Sequence, residues 1–278
     1  MERHDVAVIN HPCSKRQTTI GLVFILIYFI ICTTCFAITP KNNNLRKNGN
    51  LTIDCSHIEQ GYILAKANKT DKKLKIRVKI NKEELLYNIN QNSEWETISL
   101  QYGNGKYTFQ LYQQASGKQY SQEGLIEINV KMSDPTVALL CPNQYIDFTE
   151  DTEAVQIANK LCENLTDPQQ IYATIKKYII KTLHYDYIKA LTVQKKGELP
   201  DINTTCETHM GICQDISAVT VAMLRSQGIP SKLVIGKCDT DITHAWVTVI
   251  LNEKETIFDP VAEILHMKCA KYTPERYY

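Results

Sequence analysis

The stretch 211–230 constrains the fold of this chain more than any other. Within it lies a run whose apolar side chains cover most of a helical surface, namely Ile216, Val219, Val221, Ala222, Met223 and Leu224. Gly211 frees the backbone for the turn into this helix, and Gly228 followed by Pro230 ends it. A helix that is apolar on most sides is buried, so the rest of the chain is expected to be arranged around it.

Cys213 lies at or next to the N-terminus of this predicted helix. The unpaired backbone N–H groups and the dipole at this end of a helix favour an anion. They therefore favour the thiolate of Cys213, which is the nucleophilic form of a cysteine. The same N–H groups can receive a developing oxyanion.

Three strands are predicted after the helix, at 232–236, 244–251 and 256–258. With a two-residue loop between the last two strands, His244 and Asp259 are diagonal neighbours on one face, within side-chain reach. A four-residue loop keeps them on one face but widens the gap, and a three-residue loop puts them on opposite faces. The sequence leaves the loop length open.

Cys213, His244 and Asp259 each lie at the edge of a predicted element, where side chains can reach a shared cleft. Alone, each is more often a packing, surface or turn residue. Their ordered combination predicts a catalytic triad, in which Cys213 is the nucleophile, His244 its base and Asp259 the group that orients the imidazole.

These motifs resemble the transglutaminase-like core of the papain-like superfamily, which includes transglutaminases, some cysteine proteases and related amidases. The resemblance rests on Gly211-x-Cys213, on the helix end at 224–230, on His244-Ala245-Trp246 and on Asp259-Pro260. It implies an α+β fold with helices packed on an antiparallel sheet, and the triad Cys213, His244 and Asp259. The run Gln214-Asp215-Ile216 departs from the family, which more usually has an aromatic residue after the cysteine.

The resemblance implies an enzyme that forms a thioester from a protein or peptide carboxamide and then transfers the acyl group or hydrolyses it. A cysteine protease or amidase with the same triad is the alternative. A second alternative is a non-catalytic surface binding or structural protein that retains the fold. No cofactor or metal is expected, and a net charge of +1 gives no indication of nucleic acid as a partner.

The N-terminal part of the chain predicts export. A polar tail at 1–17 precedes an apolar segment at 18–38, which has no charged residue and approaches the length needed to cross a bilayer. The favoured interpretation is a transmembrane signal anchor that leaves the rest of the chain outside the cytoplasm. The alternative is a signal peptide cleaved after Ala37, which gives a secreted protein. Both interpretations place the protein or peptide substrates outside the cytoplasm, with the cell surface as one location.

Between the apolar segment and the catalytic part, a linker at 39–50 and a small β-sandwich domain at 51–133 are predicted. A basic stripe of Lys73, Lys75, Arg77 and Lys79 marks the outer face of one strand, interpreted as a solvated face that also protects a sheet edge. The turn at 102–105 predicts a hairpin between strands at 97–101 and 106–113. The catalytic domain, at 134–278, begins with two helices, one after Asp151 or Thr152 and the other at Pro168.

Seven cysteines follow the apolar segment: Cys55, Cys141, Cys162, Cys206, Cys213, Cys238 and Cys269. An odd number leaves one thiol over, and Cys213 is the natural candidate. The other six can form disulfides, or remain reduced where the surroundings are not oxidising. The spacing of Cys206, His209 and Cys213 also allows a zinc site, with Cys238 or His244 as a further ligand. A ligated Cys213 would not be a free nucleophile, so the thiol enzyme is preferred.

Overall fold

The computed structural model describes residues 39–192, 198–239 and 243–278. The polar tail at 1–17 and the predicted membrane segment at 18–38 lie outside the described residues, so that prediction is not tested. None of the helices within the described ranges is long and apolar enough to cross a membrane. The described residues belong to one compact unit.

Eight strands form the first half of the described chain: β1 (Leu45–Asn48), β2 (Leu51–Asp54), β3 (Tyr62–Ala67), β4 (Leu74–Ile80), β5 (Glu83–Ile89), β6 (Glu96–Ser99), β7 (Gly105–Ser116) and β8 (Gln119–Val130). They make two antiparallel four-stranded sheets, ordered β1-β2-β3-β6 and β5-β4-β7-β8. In β4 the apolar residues are buried and alternate with partly exposed Lys and Arg, as the period of two predicts. Most buried side chains of both sheets join one hydrophobic core, while Tyr62 and Leu64 form a smaller cluster with Cys141.

Two expectations about these strands are wrong. The turn at 102–105 does not close a hairpin, because β6 pairs with β3 whereas β7 pairs with β4 and β8. The turn instead passes the chain from one sheet to the other. The basic stripe does not protect a sheet edge either, since β4 lies between β5 and β7. Its charges meet partners on the neighbouring strands, as in the ion pair between Lys79 Nζ and Glu84 Oε2 at 3.1 Å.

The second half of the described chain is α+β. Its helices are α1 (Glu153–Cys162), α2 (Pro168–Thr182), α3 (Tyr187–Thr192), α4 (Ile202–Thr208), α5 (Cys213–Ser226) and α6 (Pro260–Ile264). A two-residue parallel ladder joins β9 (His184–Tyr185) to β10 (Met210–Gly211). The remaining strands are β11 (Ser231–Cys238), β12 (Thr243–Leu251), β13 (Lys254–Phe258) and β14 (Tyr272–Tyr277), which form an antiparallel sheet in the order β13-β12-β11-β14.

Helix α5 lies at the centre of this half, as its apolar surface predicts. Every residue from Asp215 to Ser226 is buried. The helix packs on β11 and β12 and is also in contact with α1, α2 and α4. It ends before Gly228, which adopts the left-handed conformation with φ 74°, and Pro230 follows.

The hairpin of β12 and β13 has a two-residue loop. Val247 pairs with Phe258 and Leu251 with Lys254, so that only Asn252 and Glu253 lie between the strands. Both loop residues have positive φ, 50° and 62°, as a type I′ turn requires. Of the three loop lengths that the sequence left open, this is the one that makes His244 and Asp259 diagonal neighbours within side-chain reach.

One disulfide, between Cys238 and Cys269, is present among the described residues. Cys55, Cys162 and Cys206 are free and buried, and Cys141 is buried with its Sγ donating to the carbonyl oxygen of Gln60, so the possibility that all six non-catalytic cysteines pair is not realised. Burial raises the pKa of Cys55 to about 11 and that of Cys206 to about 12. These thiols therefore stay protonated and behave as small apolar core residues.

Candidate active site

The nucleophile candidate Cys213 is the first residue of α5, and it is partly exposed. The residue before it, Ile212, is extended and donates its backbone N–H to Asp215 Oδ2 at 3.0 Å. Asp215 occupies the third position of the helix, so its carboxylate satisfies a backbone donor beside the helix start. The backbone N–H groups of the first helical turn have no partner within the helix and point out of its N-terminus, where Cys213 lies.

Gly211 is required where the chain enters α5. A Cβ at this position would lie 2.9 Å from the Cβ of Asp215 and 3.0 Å from Cγ2 of Thr205. Gly211 pairs with Tyr185 in the short parallel ladder, and its carbonyl oxygen accepts the N–H of Asp186 at 2.9 Å. The backbone before Cys213 is thus fixed from both sides, by the ladder and by Asp215.

Asp215 is fully buried and forms an ion pair with Lys189, whose Nζ lies 2.7 Å from Oδ2. A buried carboxylate is costly unless a cation and hydrogen bonds compensate it. Lys189 belongs to α3, so this ion pair ties α3 to the beginning of α5. Asp215 thus places a buried charge two residues after Cys213.

His244 and Asp259 form a hydrogen-bonded pair. Nε2 of His244 lies 2.7 Å from Oδ2 of Asp259, and the two side chains are 18% and 5% exposed. Oδ1 of the same carboxylate accepts the N–H of Ala262 at 2.9 Å, which makes Asp259 the N-cap of α6. Because Nε2 is engaged with Asp259, Nδ1 is the ring nitrogen left for Cys213, whose side chain interacts with the imidazole.

The surroundings of His244 favour its protonated form. Burial is the largest single influence and lowers its pKa, but the hydrogen bond to Asp259 and the interactions with Asp259 and Cys213 outweigh it. Together they raise the pKa of His244 to about 10. For Asp259, burial again acts toward the neutral form, yet the hydrogen bonds from His244 and Ala262 hold the pKa below its usual range. The pair is thus an imidazolium beside a carboxylate at neutral pH.

Two aromatic side chains flank this pair. Trp246 is buried, and its ring centroid lies 6.3 Å from that of His244 and 5.0 Å from that of Tyr272. The hydroxyl of Tyr272, on β14, donates to Oδ2 of Asp259 at 3.0 Å. Tyr272, Asp215 and Lys189 were not among the residues selected from the sequence.

The structure thus brings Cys213, His244 and Asp259 together. It does not support the zinc alternative within the described ranges, where the residues that could share a metal ion are Cys238, Asp239 and Cys269. Neither Cys206 nor His209 belongs to that group, and both cysteines in it form the disulfide. A pocket of about 150 Å³ adjoins the imidazole, lined by His244, Asp259, Val261, Ala262, Met267, Lys268 and the disulfide.

Comparison with known proteins agrees with the motifs. Residues 155–260 match the model of the transglutaminase-like superfamily. The resemblance predicted from the cysteine, histidine and aspartate motifs is therefore confirmed, and the matched span contains all three residues. No curated protein matches the chain.

The chain is also similar to several solved structures at low sequence identity. A candidate cysteine protease from Cytophaga hutchinsonii is 14% identical, with a TM-score of 0.42, over 84% of this chain and 83% of that one. The periplasmic domain of TgpA from Pseudomonas aeruginosa is 12% identical, with a TM-score of 0.37, over 80% and 74%. Red sea bream transglutaminase is 12% identical, with a TM-score of 0.29, over 76% and 49%.

Proposed function

We propose that this protein is a thiol enzyme that uses Cys213, His244 and Asp259 to form a thioester from a protein or peptide carboxamide. The observation that carries the proposal is the position of His244, which is hydrogen bonded to Asp259 and interacts with a cysteine at the N-terminus of a buried helix. A packing cysteine would not need a charged imidazole beside it, and a structural ion pair would not need a partly exposed thiol.

In the first step, Sγ of the Cys213 thiolate attacks the carbonyl carbon of the carboxamide, and a C–S bond forms. The oxyanion that develops is stabilised by the free N–H groups of the first turn of α5. The C–N bond then breaks, and the imidazolium of His244 gives its proton to the leaving amine or ammonia. Asp259 keeps the ring in the orientation and tautomer that this transfer requires.

In the second step, water or a lysine amine attacks the thioester carbon and gives a proton to His244, and the thiolate of Cys213 leaves. Water completes a hydrolysis, as in a protease or amidase. An amine completes an acyl transfer and leaves an isopeptide bond. Both reactions use the same three residues, and they differ in how well the cleft excludes water and admits the amine.

We further propose that the enzyme acts outside the cytoplasm on protein or peptide substrates, held at the membrane by its N-terminal segment or secreted after cleavage. The disulfide between Cys238 and Cys269 supports this location, because disulfides persist mainly in oxidising compartments. Mass spectrometry of the mature N-terminus, combined with cell fractionation, tests it. Recovery of the uncleaved chain in the cytoplasmic fraction would contradict it.

The reaction is tested by incubating the protein with a glutamine-containing protein and a labelled primary amine, with Cys213→Ala as the control. Incorporation of the amine by the wild type alone supports acyl transfer, and release of ammonia or cleavage without incorporation supports hydrolysis. Iodoacetamide labelling provides a second measurement, since Cys213 is the partly exposed one among the free thiols of the described residues. Absence of turnover together with no preferential labelling of Cys213 would favour a non-catalytic binding protein.

A further inference from the structure

The carboxylate of Asp259 accepts a hydrogen bond from a side chain on β14, and this side chain has no role in the reaction steps proposed above. Oδ2 accepts two hydrogen bonds, from His244 Nε2 at 2.7 Å and from the Tyr272 hydroxyl at 3.0 Å, while Oδ1 accepts the N–H of Ala262. These donors come from β12, β14 and α6. The carboxylate is therefore oriented by three separate elements.

We propose that Tyr272 is a positioning residue of this site, which holds Asp259 ionised and correctly oriented and so acts on the imidazole through it. The inference rests on the proposed function, because it assigns Tyr272 to the same triad. Tyr272 does not touch the thiol or the substrate in this scheme. Its contribution is the hydrogen bond to Oδ2.

The position of Tyr272 depends on a close approach between strands. Gly236, on β11, faces Pro274 on β14, and the pairing of these strands shifts in register between Ile235 and Gly236. A Cβ on Gly236 would lie 2.2 Å from the carbonyl oxygen of Thr273 and 2.8 Å from Cη2 of Trp246. The glycine therefore lets β14 lie close over the Trp246 ring, and the Tyr272 ring packs against that indole.

The hydroxyl of Tyr272 remains a donor throughout the working range of pH. Burial and then the negative charge of Asp259 raise its pKa above the usual value for tyrosine. A protonated phenol can only donate to an ionised carboxylate, so the hydrogen bond favours the charged form of Asp259. The hydrogen bond from Tyr272 therefore favours the state in which Asp259 is ionised and lies beside the imidazolium of His244.

The test compares Tyr272→Phe, which keeps the ring on Trp246 and removes the hydroxyl, with Tyr277→Phe. Tyr277 lies on the same strand, and its hydroxyl contacts the carbonyl oxygen of Gln101 at 3.4 Å, away from the triad. The first measurement is a ¹³C NMR titration of the Asp259 carboxyl group. We expect its pKa to rise in Tyr272→Phe and to stay unchanged in Tyr277→Phe. An unchanged Asp259 titration in Tyr272→Phe would overturn the proposal.

The second measurement is turnover on the substrate found by the activity assay. Tyr272→Phe should lower kcat about tenfold with little change in KM, which corresponds to the loss of one hydrogen bond to a charged group. In an Asp259→Asn background the same change should alter kcat less than about twofold, because the two residues act through one contact. An undiminished effect in that background would show that Tyr272 acts otherwise. The NMR titration needs no turnover, so failure of the proposed reaction is distinguishable from failure of this inference.

Discussion

The buried ion pair between Lys189 and Asp215 offers the sharpest test of how the beginning of α5 is held. In Lys189→Met the carboxylate of Asp215, which is fully buried, keeps the N–H of Ile212 but loses its cation. Removing one partner of a buried pair costs about 3–5 kcal/mol, and the lower end applies here because the Lys189 side chain is 28% exposed. We therefore expect a loss of about 3 kcal/mol in the free energy of unfolding.

Urea unfolding followed by circular dichroism measures this loss. The matched control is Lys176→Met, which removes a lysine 2.5 Å from Glu263 in a pair whose side chains are 34% and 41% exposed. An exposed pair contributes at most about 1 kcal/mol, so the control should change stability much less. An equal loss of free energy in the two variants would show that burial does not set the cost of breaking the Lys189–Asp215 pair. Changing Asp215 to Asn together with Lys189→Met should recover much of the loss, since no buried charge then remains unpaired.

Three further predictions follow from the geometry. The pKa of His244 is raised to about 10 in the folded state. The protonated imidazole therefore stabilises the fold fully below its unfolded pKa of about 6.5, and this contribution is lost as pH rises through 10. Urea unfolding should show a difference in stability between wild type and His244→Gln at about pH 6 that disappears above about pH 10. Gly211→Ala should lower the free energy of unfolding by about 1–3 kcal/mol and slow the alkylation of Cys213, because the new Cβ would lie 2.9 Å from the Cβ of Asp215. Unchanged stability would contradict this close approach. Replacing Cys238 and Cys269 by serine opens a loop with a sequence separation of 31 and should lower stability by about 4 kcal/mol in thermal unfolding. An unchanged Tm would show that the disulfide does not constrain the unfolded chain.

The central helix and the strands around it were predictable because their signals are local. The apolar surface of α5, the glycine and proline after it, and the alternation in β12 each lie within one element. The sequence predicted the relation between His244 and Asp259 only up to the length of the loop, since the five polar residues at 252–256 separate the apolar runs. The positive φ values of Asn252 and Glu253 select the two-residue loop, and the sequence alone does not impose them.

No comparable pattern in the sequence indicated that Tyr272, on β14, donates a hydrogen bond to Asp259. This strand is mostly exposed, lacks apolar alternation and contains Pro274, which argues against a strand in sequence-based reasoning. Tyr272 reaches Asp259 through a tertiary pairing with β11. The error at the turn 102–105 has the same origin, because turn residues indicate that the chain reverses but not which strand it then joins.

Asp259-Pro260 shows why an ordinary structural interpretation and a catalytic one need not compete. The aspartate followed by proline is typical of a helix start, and Asp259 is indeed the N-cap of α6, with its Oδ1 accepting the N–H of Ala262. Its other oxygen faces His244. Since one carboxylate serves both purposes, the helix cap fixes the oxygen that the imidazole needs. Substitution by alanine would remove the cap together with the charge, so asparagine, which retains an oxygen acceptor, is the variant that isolates the charge.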